Sequence, residues 1–464
     1  MRELAGNIRP AESPAVAGHG PAAVVLCGVQ FVDVLGVTVV VTALPRMLAD
    51  LGAAPADGAA VVTAYAMFFG GLLMVAARVG DRVGHRRTVL AALALFAGAS
   101  ALAAATQSVW LLVVGRALQG AAAAAAVPSA LRLLTTVVPE GPARRRAVAG
   151  WSAAGATAGA SGFVIGGVLT DLASWRAVFW MNIVLAALLA GAIAATIPVD
   201  GPRRTAVRIS WRSSILLVGG AMGIVAGTTL FGEHRPAVLG VAVTGVGVSA
   251  AVGFALVERR ARYPLIAAEA RRSARLSWGA VGSFVNTATT SSSITLAAIY
   301  LQQELALTPL RAAALLVTFS ILVAPGSLAA PRLIAAWGSG PVLGLGLGTI
   351  AVGNALLTVW PSAIGIGAAA GICGLGIGIG SVAATVLGTA VSDTIKATAA
   401  GVLNTAAQLG TAIGTALVLL IATTLQPRTA WIVVVVLAAT AGAVAAARAP
   451  RRHQLAPLPG VSGA

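Results

Sequence analysis

Charged residues are scarce in this chain. They make up 10% of its 464 residues, while hydrophobic residues make up 58%, and the mean hydropathy is +0.92. A soluble domain is typically about 25% charged, so the composition argues against that class. Apolar runs of about 20 residues recur along the chain, and each is long enough to cross a bilayer core of about 30 Å. The sequence therefore predicts an all-α polytopic membrane protein.

Cysteine and histidine are also rare. Cys27 and Cys373 both lie inside apolar runs, which favours small buried residues over a disulfide. All four histidines lie outside these runs, so none is placed to bind a metal within the membrane. Glycine runs at 344–348 and 374–380 lack a βαβ context, which favours close helix packing over a nucleotide site. We expect no metal and no cofactor.

Acidic residues in the inner loops are isolated rather than clustered. A membrane-embedded enzyme, such as a lipid-modifying transferase, needs acidic, His or Cys residues gathered at one membrane face. The inner loops offer only single acids such as Asp81, Glu140 and Asp393. We therefore expect a protein that is not an enzyme.

Fourteen apolar runs are candidate membrane spans. Their approximate limits are 22–44, 59–77, 88–106, 109–131, 147–170, 176–197, 213–232, 237–257, 276–301, 310–330, 341–360, 363–388, 397–424 and 430–447. An even number of spans places both termini on the same side of the membrane.

The basic residues are distributed unevenly about these spans. With the N-terminus inside, Arg116 falls within a span, and the outer loops hold only Arg46, Arg176, Arg235, Arg311 and Arg428 of the 31 basic residues. Lys/Arg-rich loops stay on the cytoplasmic side. We therefore predict a multi-pass protein of the bacterial cytoplasmic membrane with both termini in the cytoplasm.

The net charge of +17 does not indicate a nucleic-acid partner. The basic residues fall in short turns rather than on one soluble face, and the richest clusters, at 203–212 and 259–275, flank spans seven and eight. Such clusters are typical of inner-face contacts with lipid headgroups. We expect membrane lipids as partners and no nucleic acid.

The span pattern divides the chain into five regions. The predicted regions are an N-terminal tail (1–21), a six-helix bundle (22–197), a linker with two additional spans (198–275), a second six-helix bundle (276–447) and a C-terminal tail (448–464). Both tails are predicted to be cytoplasmic.

A short basic turn at 77–87 lies between the second and third spans. Its sequence is Ala-Arg-Val-Gly-Asp-Arg-Val-Gly-His-Arg-Arg. The glycines permit a tight turn, and the carboxylate of Asp81 can accept hydrogen bonds from neighbouring helix ends. A degenerate copy at 331–338 has Ala335 and Ala336 where the first has Asp81 and Arg82. The chain therefore has an internal repeat in which only one copy keeps the charges.

This turn resembles the loop between helices 2 and 3 of the major facilitator superfamily, whose pattern is Gly-x-Leu-Ala-Asp-Arg-x-Gly-Arg-Lys/Arg. Ala77 replaces the leading Gly, and His85 replaces a basic residue. The resemblance implies two six-helix bundles that rock around a midplane site, with spans 1, 4, 9 and 12 lining the cavity. It also implies a conformational gate at this turn, made of Gly80, Asp81, Arg82, Gly84, Arg86 and Arg87.

Two charged residues lie within the spans of the first half. Asp33 is near the middle of span 1, where an ionised group costs several kcal/mol unless it is paired or protonated. It is a candidate proton carrier, and the alternative is a structural carboxylate hydrogen-bonded within the bundle. Arg116 in span 4 stays charged and needs an acceptor, which is Asp33, a substrate carboxylate or a helix carbonyl.

Span nine is more polar than helix packing requires. Seven of its residues from 286 to 293 are Asn, Thr or Ser, so some of them are expected to line a wet cavity. The candidate substrate-cavity residues are Gln30, Gln119, Asn286, Thr290 and Ser293.

Further stretches resemble the fourteen-span drug/proton antiporter branch of the superfamily. Residues 38–45 look like a motif of its first span, with Gly36 at the position of the branch's Asp and Asp33 one helical turn earlier. Arg116 with Gln119 and Gly120 resembles a span 4 motif whose Arg is linked in the family to proton coupling. The antiporter signature of span 5 is matched by Gly162, Phe163, Gly166 and Gly167, with Phe163 replacing its Pro.

The resemblance implies a proton-coupled antiporter that exports small amphipathic drugs or antibiotics by alternating access. Asp33 and Arg116 would couple transport to protons, and the protein is expected to act as a monomer on a small-molecule substrate. The alternative is a proton-linked porter of another small metabolite or lipid-like solute, because Phe163 removes a helix-bending proline.

Overall fold

The computed structural model describes residues 19–54, 57–199, 211–232, 237–261 and 264–449. The predicted tails therefore lie almost wholly outside the described residues, as does most of the basic stretch at 203–212. All regular structure in the described residues is helical. The helices are α1 (His19–Asp50), α2 (Asp57–Val83), α3 (His85–Ala105), α4 (Val109–Val137), α5 (Pro142–Leu172), α6 (Arg176–Thr196), α7 (Trp211–Gly232), α8 (Ala237–Arg260), α9 (Ala268–Arg272), α10 (Ala274–Gln303), α11 (Pro309–Trp337), α12 (Ser339–Val359), α13 (Ala363–Gly388), α14 (Lys396–Thr424) and α15 (Pro427–Arg448).

Twelve of these helices are long and apolar enough to cross a membrane. The predicted class, a polytopic helical membrane protein, is thus confirmed. The two remaining long helices are α7, whose apolar described part is Arg212–Thr228, and α10, which carries the polar run of span nine. The count of fourteen spans stays a prediction.

Several helices begin at a side-chain cap. Thr308 accepts a hydrogen bond from the Arg311 amide at the start of α11, and Ser362 accepts one from the Gly365 amide at the start of α13. Such caps satisfy amides that have no partner within the helix. Short polar turns therefore fix where one span ends and the next begins.

Close helix packing depends on glycine along α13. A Cβ on Gly374 would meet the Phe319 carbonyl of α11, and one on Gly346 of α12 would lie 2.6 Å from the Gly380 amide. The glycine runs therefore let helix backbones approach each other, as predicted from their position within spans.

The helices form two bundles, α1–α6 and α10–α15, with the α7–α8 pair beside them. Gly71 of α2 lies directly against Val218 of α7, and Ala221 of α7 shares an apolar cluster with Ala412 of α14. The additional pair thus packs, through α7, against both bundles at the place where α2 and α14 meet. The exact limits of the five predicted regions stay a prediction.

The turns after α2 and after α11 have the same backbone form. Gly84 separates α2 from α3 with φ +107°, and Gly338 separates α11 from α12 with φ +85°. Both values lie in a region that favours glycine. The weak sequence repeat is therefore matched by a repeat of structure.

The two bundles meet where α1 ends, which we call the outer end, following the predicted topology. Gln302 Nε2 donates a 3.0 Å hydrogen bond to the Thr42 carbonyl, and the rings of Phe163 and Phe319 pack edge to face with centroids 6.4 Å apart. A Cβ on Gly167 would lie 2.9 Å from the Pro309 carbonyl. We call these contacts between α1, α5, α10 and α11 the outer seam.

Candidate functional site

Asp33 is buried in the first bundle, with 8% of its surface exposed. The hydroxyl of Tyr65 on α2 donates to Asp33 Oδ1 over 2.5 Å. Tyr65 itself is fully buried. A hydrogen bond from a hydroxyl offsets part of the cost of burying the carboxyl group.

Arg116 on α4 is also buried, with 1% exposed. Its Nη1 donates to the Gly36 carbonyl over 2.9 Å and to Gln119 Oε1 over 2.8 Å. Of the three acceptors that the sequence left open, the structure shows a helix carbonyl, together with the neighbouring amide. The guanidinium also lies 4.6 Å from the centroid of the Tyr65 ring, within the range of a cation–π contact.

Tyr65 therefore touches both predicted proton-coupling residues. Its hydroxyl donates a hydrogen bond to Asp33, and its ring makes a cation–π contact with Arg116. Sequence reasoning missed it, although the chain has only three tyrosines and this one lies inside a span. Gly120 of α4 makes the contact possible, because a Cβ there would meet the Tyr65 carbonyl oxygen and lie 2.9 Å from its carbon. We call Asp33, Tyr65 and Arg116 the buried triad.

Gln119 points into the first bundle. Its Nε2 donates to Ser100 Oγ of α3 over 2.7 Å, and Ser100 in turn donates to the Phe96 carbonyl. The side-chain amide of Gln119 is fully buried, and its oxygen and its nitrogen are each hydrogen-bonded, to Arg116 and to Ser100. Its predicted role in a substrate cavity stays a prediction.

Gly36 lies beside an unusual amide. A Cβ at Gly36 would lie 3.3 Å from Phe96 and 4.0 Å from Asn182 Nδ2. Asn182 of α6 is fully buried, and neither amide atom has a hydrogen-bond partner among the described residues. Asn182 thus faces the position where the family's Asp is missing.

The helix 5 motif packs against two helices, α1 and α11. A Cβ on Gly162 would meet the Thr38 hydroxyl, and one on Gly166 would lie against the Val39 backbone. These two glycines therefore let α5 pack closely on α1. Gly167 and Phe163 face α11 and belong to the outer seam.

The polar residues of span nine, on α10, point in different directions. Ser293 donates to Asn354 Oδ1 on α12, while Thr290 donates to the carbonyl of Asn286 on its own helix. Asn286 Nδ2 donates to Ser381 Oγ of α13 over 2.9 Å. Ser293, Thr290 and Asn286 are all fully buried, so their contact with substrate stays a prediction.

A cavity of about 220 Å³ lies next to this region. Its lining includes polar side chains from α10, α13 and α14, namely Ser283, Thr287, Ser381, Thr385 and Asn404. None of the five predicted cavity residues is among the lining, and Asn286 is linked to it through its hydrogen bond to Ser381. Gln30 of α1 is half-buried, and a Cβ on Gly155 would lie 3.2 Å from its Nε2.

The predicted gate forms the tight turn expected of it. Asp81 Oδ1 lies 3.2 Å from His85 Nε2 at the start of α3, and a Cβ on Gly80 would lie 2.6 Å from the same imidazole. Arg86 Nη2 donates to the Ala194 carbonyl at the end of α6. His85, which was not among the predicted gate residues, is thus the partner of Asp81.

A family model described as Major Facilitator Superfamily matches residues 26–219 and 279–462. The chain belongs to the major facilitator superfamily. It is therefore a multi-pass membrane protein of a transporter superfamily. The interval between the two matched segments contains α8 and most of α7, the pair that packs outside the two bundles.

Curated relatives in this superfamily include antibiotic exporters. The chain is 37% identical over 254 residues to the cephamycin export protein of Amycolatopsis lactamdurans, covering 53% of this chain and 51% of that protein. It is 36% identical over 261 residues to a puromycin resistance protein of Streptomyces alboniger, covering 55% and 52%. A tetracenomycin C resistance and export protein of Streptomyces glaucescens is 32% identical over 331 residues, covering 70% and 60%. The aligned chain thus spans about half the length of the first two.

Solved transporter structures share the fold. A peptide transporter in complex with sulfate has a TM-score of 0.66 at 16% identity, covering 91% of this chain and 94% of that one. The human organic anion transporter MFSD10 has a TM-score of 0.63 at 15% identity, covering 92% and 99%. The predicted superfamily and its fold are confirmed.

Proposed function

We propose that this chain exports small amphipathic drugs or antibiotics across the bacterial cytoplasmic membrane in exchange for protons. The antibiotic export and resistance proteins among its relatives support the class of cargo. The buried triad supports the coupling, because it holds a carboxyl group away from water beside a fixed positive charge. In this proposal both termini are cytoplasmic and the protein acts as a monomer.

The triad suggests a division of roles. Asp33 carries the proton, and the Tyr65 hydroxyl can donate to a carboxylate or accept from a carboxylic acid. Arg116 stays charged and lies on the same ring, so it would bias proton release when the helices move. Because Asp33, Tyr65 and Arg116 all sit in the first bundle, on α1, α2 and α4, rigid-body rocking keeps their spacing. In this proposal the rocking changes which side of the membrane can exchange protons with Asp33.

The second bundle would supply much of the substrate contact. Thr287 and Asn404 line the cavity between α10, α13 and α14, while Asn286 supports it through Ser381. Gln30 would contribute from the facing bundle. Gln119, Thr290 and Ser293 remain proposed cavity residues that must turn out of their present hydrogen bonds to reach a substrate.

The gate and the outer seam would alternate in closing the path. The outer seam is formed in the structure, with Phe163 and Gly167 of the helix 5 motif packed on α11. The gate, Gly80 to Arg87, lies at the opposite end. Opening the outer seam while the gate closes would expose the substrate to the outside.

Transport into everted membrane vesicles tests the cargo. When the vesicle interior is more acidic than the medium, wild-type vesicles should accumulate an amphipathic antibiotic. Collapse of this pH gradient should abolish the accumulation. A sensitive host that expresses the chain should also become less susceptible to that drug. If proton flux accompanies other solutes but no drug, the chain is instead a porter for a metabolite or lipid-like solute.

A further inference from the structure

A second cavity lies at the inner end of the molecule, where α8, the short α9 and α10 meet. Its volume is about 600 Å³. One part of its wall is apolar and another carries charge. Its lining includes Phe254, Ile266, Leu276 and Val402 on the apolar side, and Glu258, Arg259, Arg271 and Arg272 on the charged side.

Glu258 is the unusual member of this wall. Only 2% of it is exposed. Its Oε1 accepts a 2.6 Å hydrogen bond from the Ile266 amide, but Oε2 has no hydrogen-bond partner among the described residues. A buried carboxylate oxygen without a donor is costly, which points to a donor supplied from outside the chain.

Arg271 does not fill that role. Its Nη1 donates to the Glu258 carbonyl over 3.0 Å and to the Ile266 carbonyl over 2.8 Å, and it stays 3.9 Å from Oε1. The guanidinium therefore holds the backbone between the end of α8 and the start of α9. Arg259 and Arg272, also in the lining, are exposed and can meet an anion at the mouth of the cavity.

We propose that this cavity binds a phospholipid with a primary ammonium headgroup, such as phosphatidylethanolamine. The ammonium donates to Glu258 Oε2, and the phosphate lies against Arg259 and Arg272. The glycerol and upper acyl chains follow the apolar wall formed by Phe254 and Leu276. The positive group of this lipid thus meets the acidic residue of the cavity, and its negative group meets the basic residues.

The position of the cavity fits a lipid. It lies at the ends of α8 and α10, where membrane helices reach the headgroup layer. It also adjoins the gate, because Arg78 Nη2 of α2 donates to the Pro264 carbonyl over 2.7 Å and to the Leu265 carbonyl over 3.3 Å. These residues directly precede Ile266, so the lipid would rest against the segment that Arg78 holds.

Lipid retention tests this site independently of the transported solute. The full chain is reconstituted with a phosphatidylethanolamine series carrying zero, one, two or three N-methyl groups, and the lipid retained after mild delipidation is counted by native mass spectrometry. Wild-type protein should retain the unmethylated lipid about tenfold better than the trimethylated one, a difference of about 1.4 kcal/mol. Equal retention across the series would overturn the proposal, as would a preference for phosphatidylglycerol.

A variant pair locates the effect. Glu258→Gln keeps an oxygen for the Ile266 amide but removes the negative charge, so it should erase the preference for the unmethylated lipid. Glu269→Gln, on the neighbouring α9 but outside this cavity, should leave the preference unchanged. If Glu258→Gln folds, as judged by thermal unfolding, and keeps the preference, Glu258 is not the headgroup ligand. If it does not fold, the methylation series on wild-type protein still decides.

Discussion

The Tyr65 hydroxyl donates a 2.5 Å hydrogen bond to Asp33 Oδ1 in the interior of the first bundle. Arg116 lies over the ring of the same tyrosine. One side chain of α2 therefore connects a carboxyl group of α1 with a cation of α4. The role of Tyr65 in the proposed coupling site can therefore be tested by changing this one side chain.

Removal of the Tyr65 hydroxyl should uncouple transport. Tyr65→Phe keeps the ring for Arg116 but takes the donor from Asp33, so the free energy of unfolding should fall by about 1–3 kcal/mol. Proton-driven drug uptake in vesicles should fall by about tenfold or more. Tyr300→Phe, whose ring packs on Trp431 in the second bundle, is the control. Equal losses in the two variants would argue against a special role for Tyr65.

Gly120 should tolerate no side chain. In Gly120→Ala the new methyl would press on the Tyr65 carbonyl, so α4 must move away from α2 and carry Arg116 with it. Overpacking of this kind costs about 1–3 kcal/mol, and thermal unfolding in detergent should show the loss. Gly98→Ala in α3 is the matched control, because nothing lies within 4 Å of its Cβ. That variant should be as stable as wild type or slightly more so.

Neutralising Asp81 should disturb the transport cycle much more than changing Ala335, its counterpart in the degenerate copy. Asp81→Asn weakens the contact with His85 at the gate, whereas Ala335→Ser alters a position that carries no charge. We expect the rate of drug transport to fall by about tenfold in the first and by less than about twofold in the second. Similar rates in both variants would show that the gate is symmetric.

Gln302 should hold the outer seam closed. In Gln302→Leu the Thr42 carbonyl loses its donor, so the outward-open population should increase. A Leu310→Cys substitution beside Gly167 reports this opening as faster labelling by an impermeant thiol reagent. Gln303→Leu, one residue later, should label at the wild-type rate. A labelling rate unchanged by Gln302→Leu would assign the closure to the aromatic and glycine contacts alone.

The sequence predicts the helices, the superfamily and the gate turn, because span length, glycine positions and clustered arginines are local properties. The inward orientation of Arg116 also follows from its location within a span. The partner of Asp33 does not follow, since Tyr65 is 32 residues away and meets it only when α2 packs on α1. The directions of Asn286, Thr290 and Ser293 were equally hidden, because polar residues occupy every face of that part of α10. The Glu258 cavity depends on the short linker helix α9, for which the span pattern carries no signal.

Drug flux in vesicles that carry Asp33→Asn tests the proton-coupling claim most directly. The substituted amide would still accept a hydrogen bond from Tyr65 but cannot carry a proton, so uptake driven by a pH gradient should fall by at least about tenfold. Exchange of labelled for unlabelled drug without a gradient should stay within about twofold of wild type, as should both activities in Asp171→Asn, an exposed carboxylate at the end of α5. Gradient-driven uptake that survives in Asp33→Asn would contradict the account.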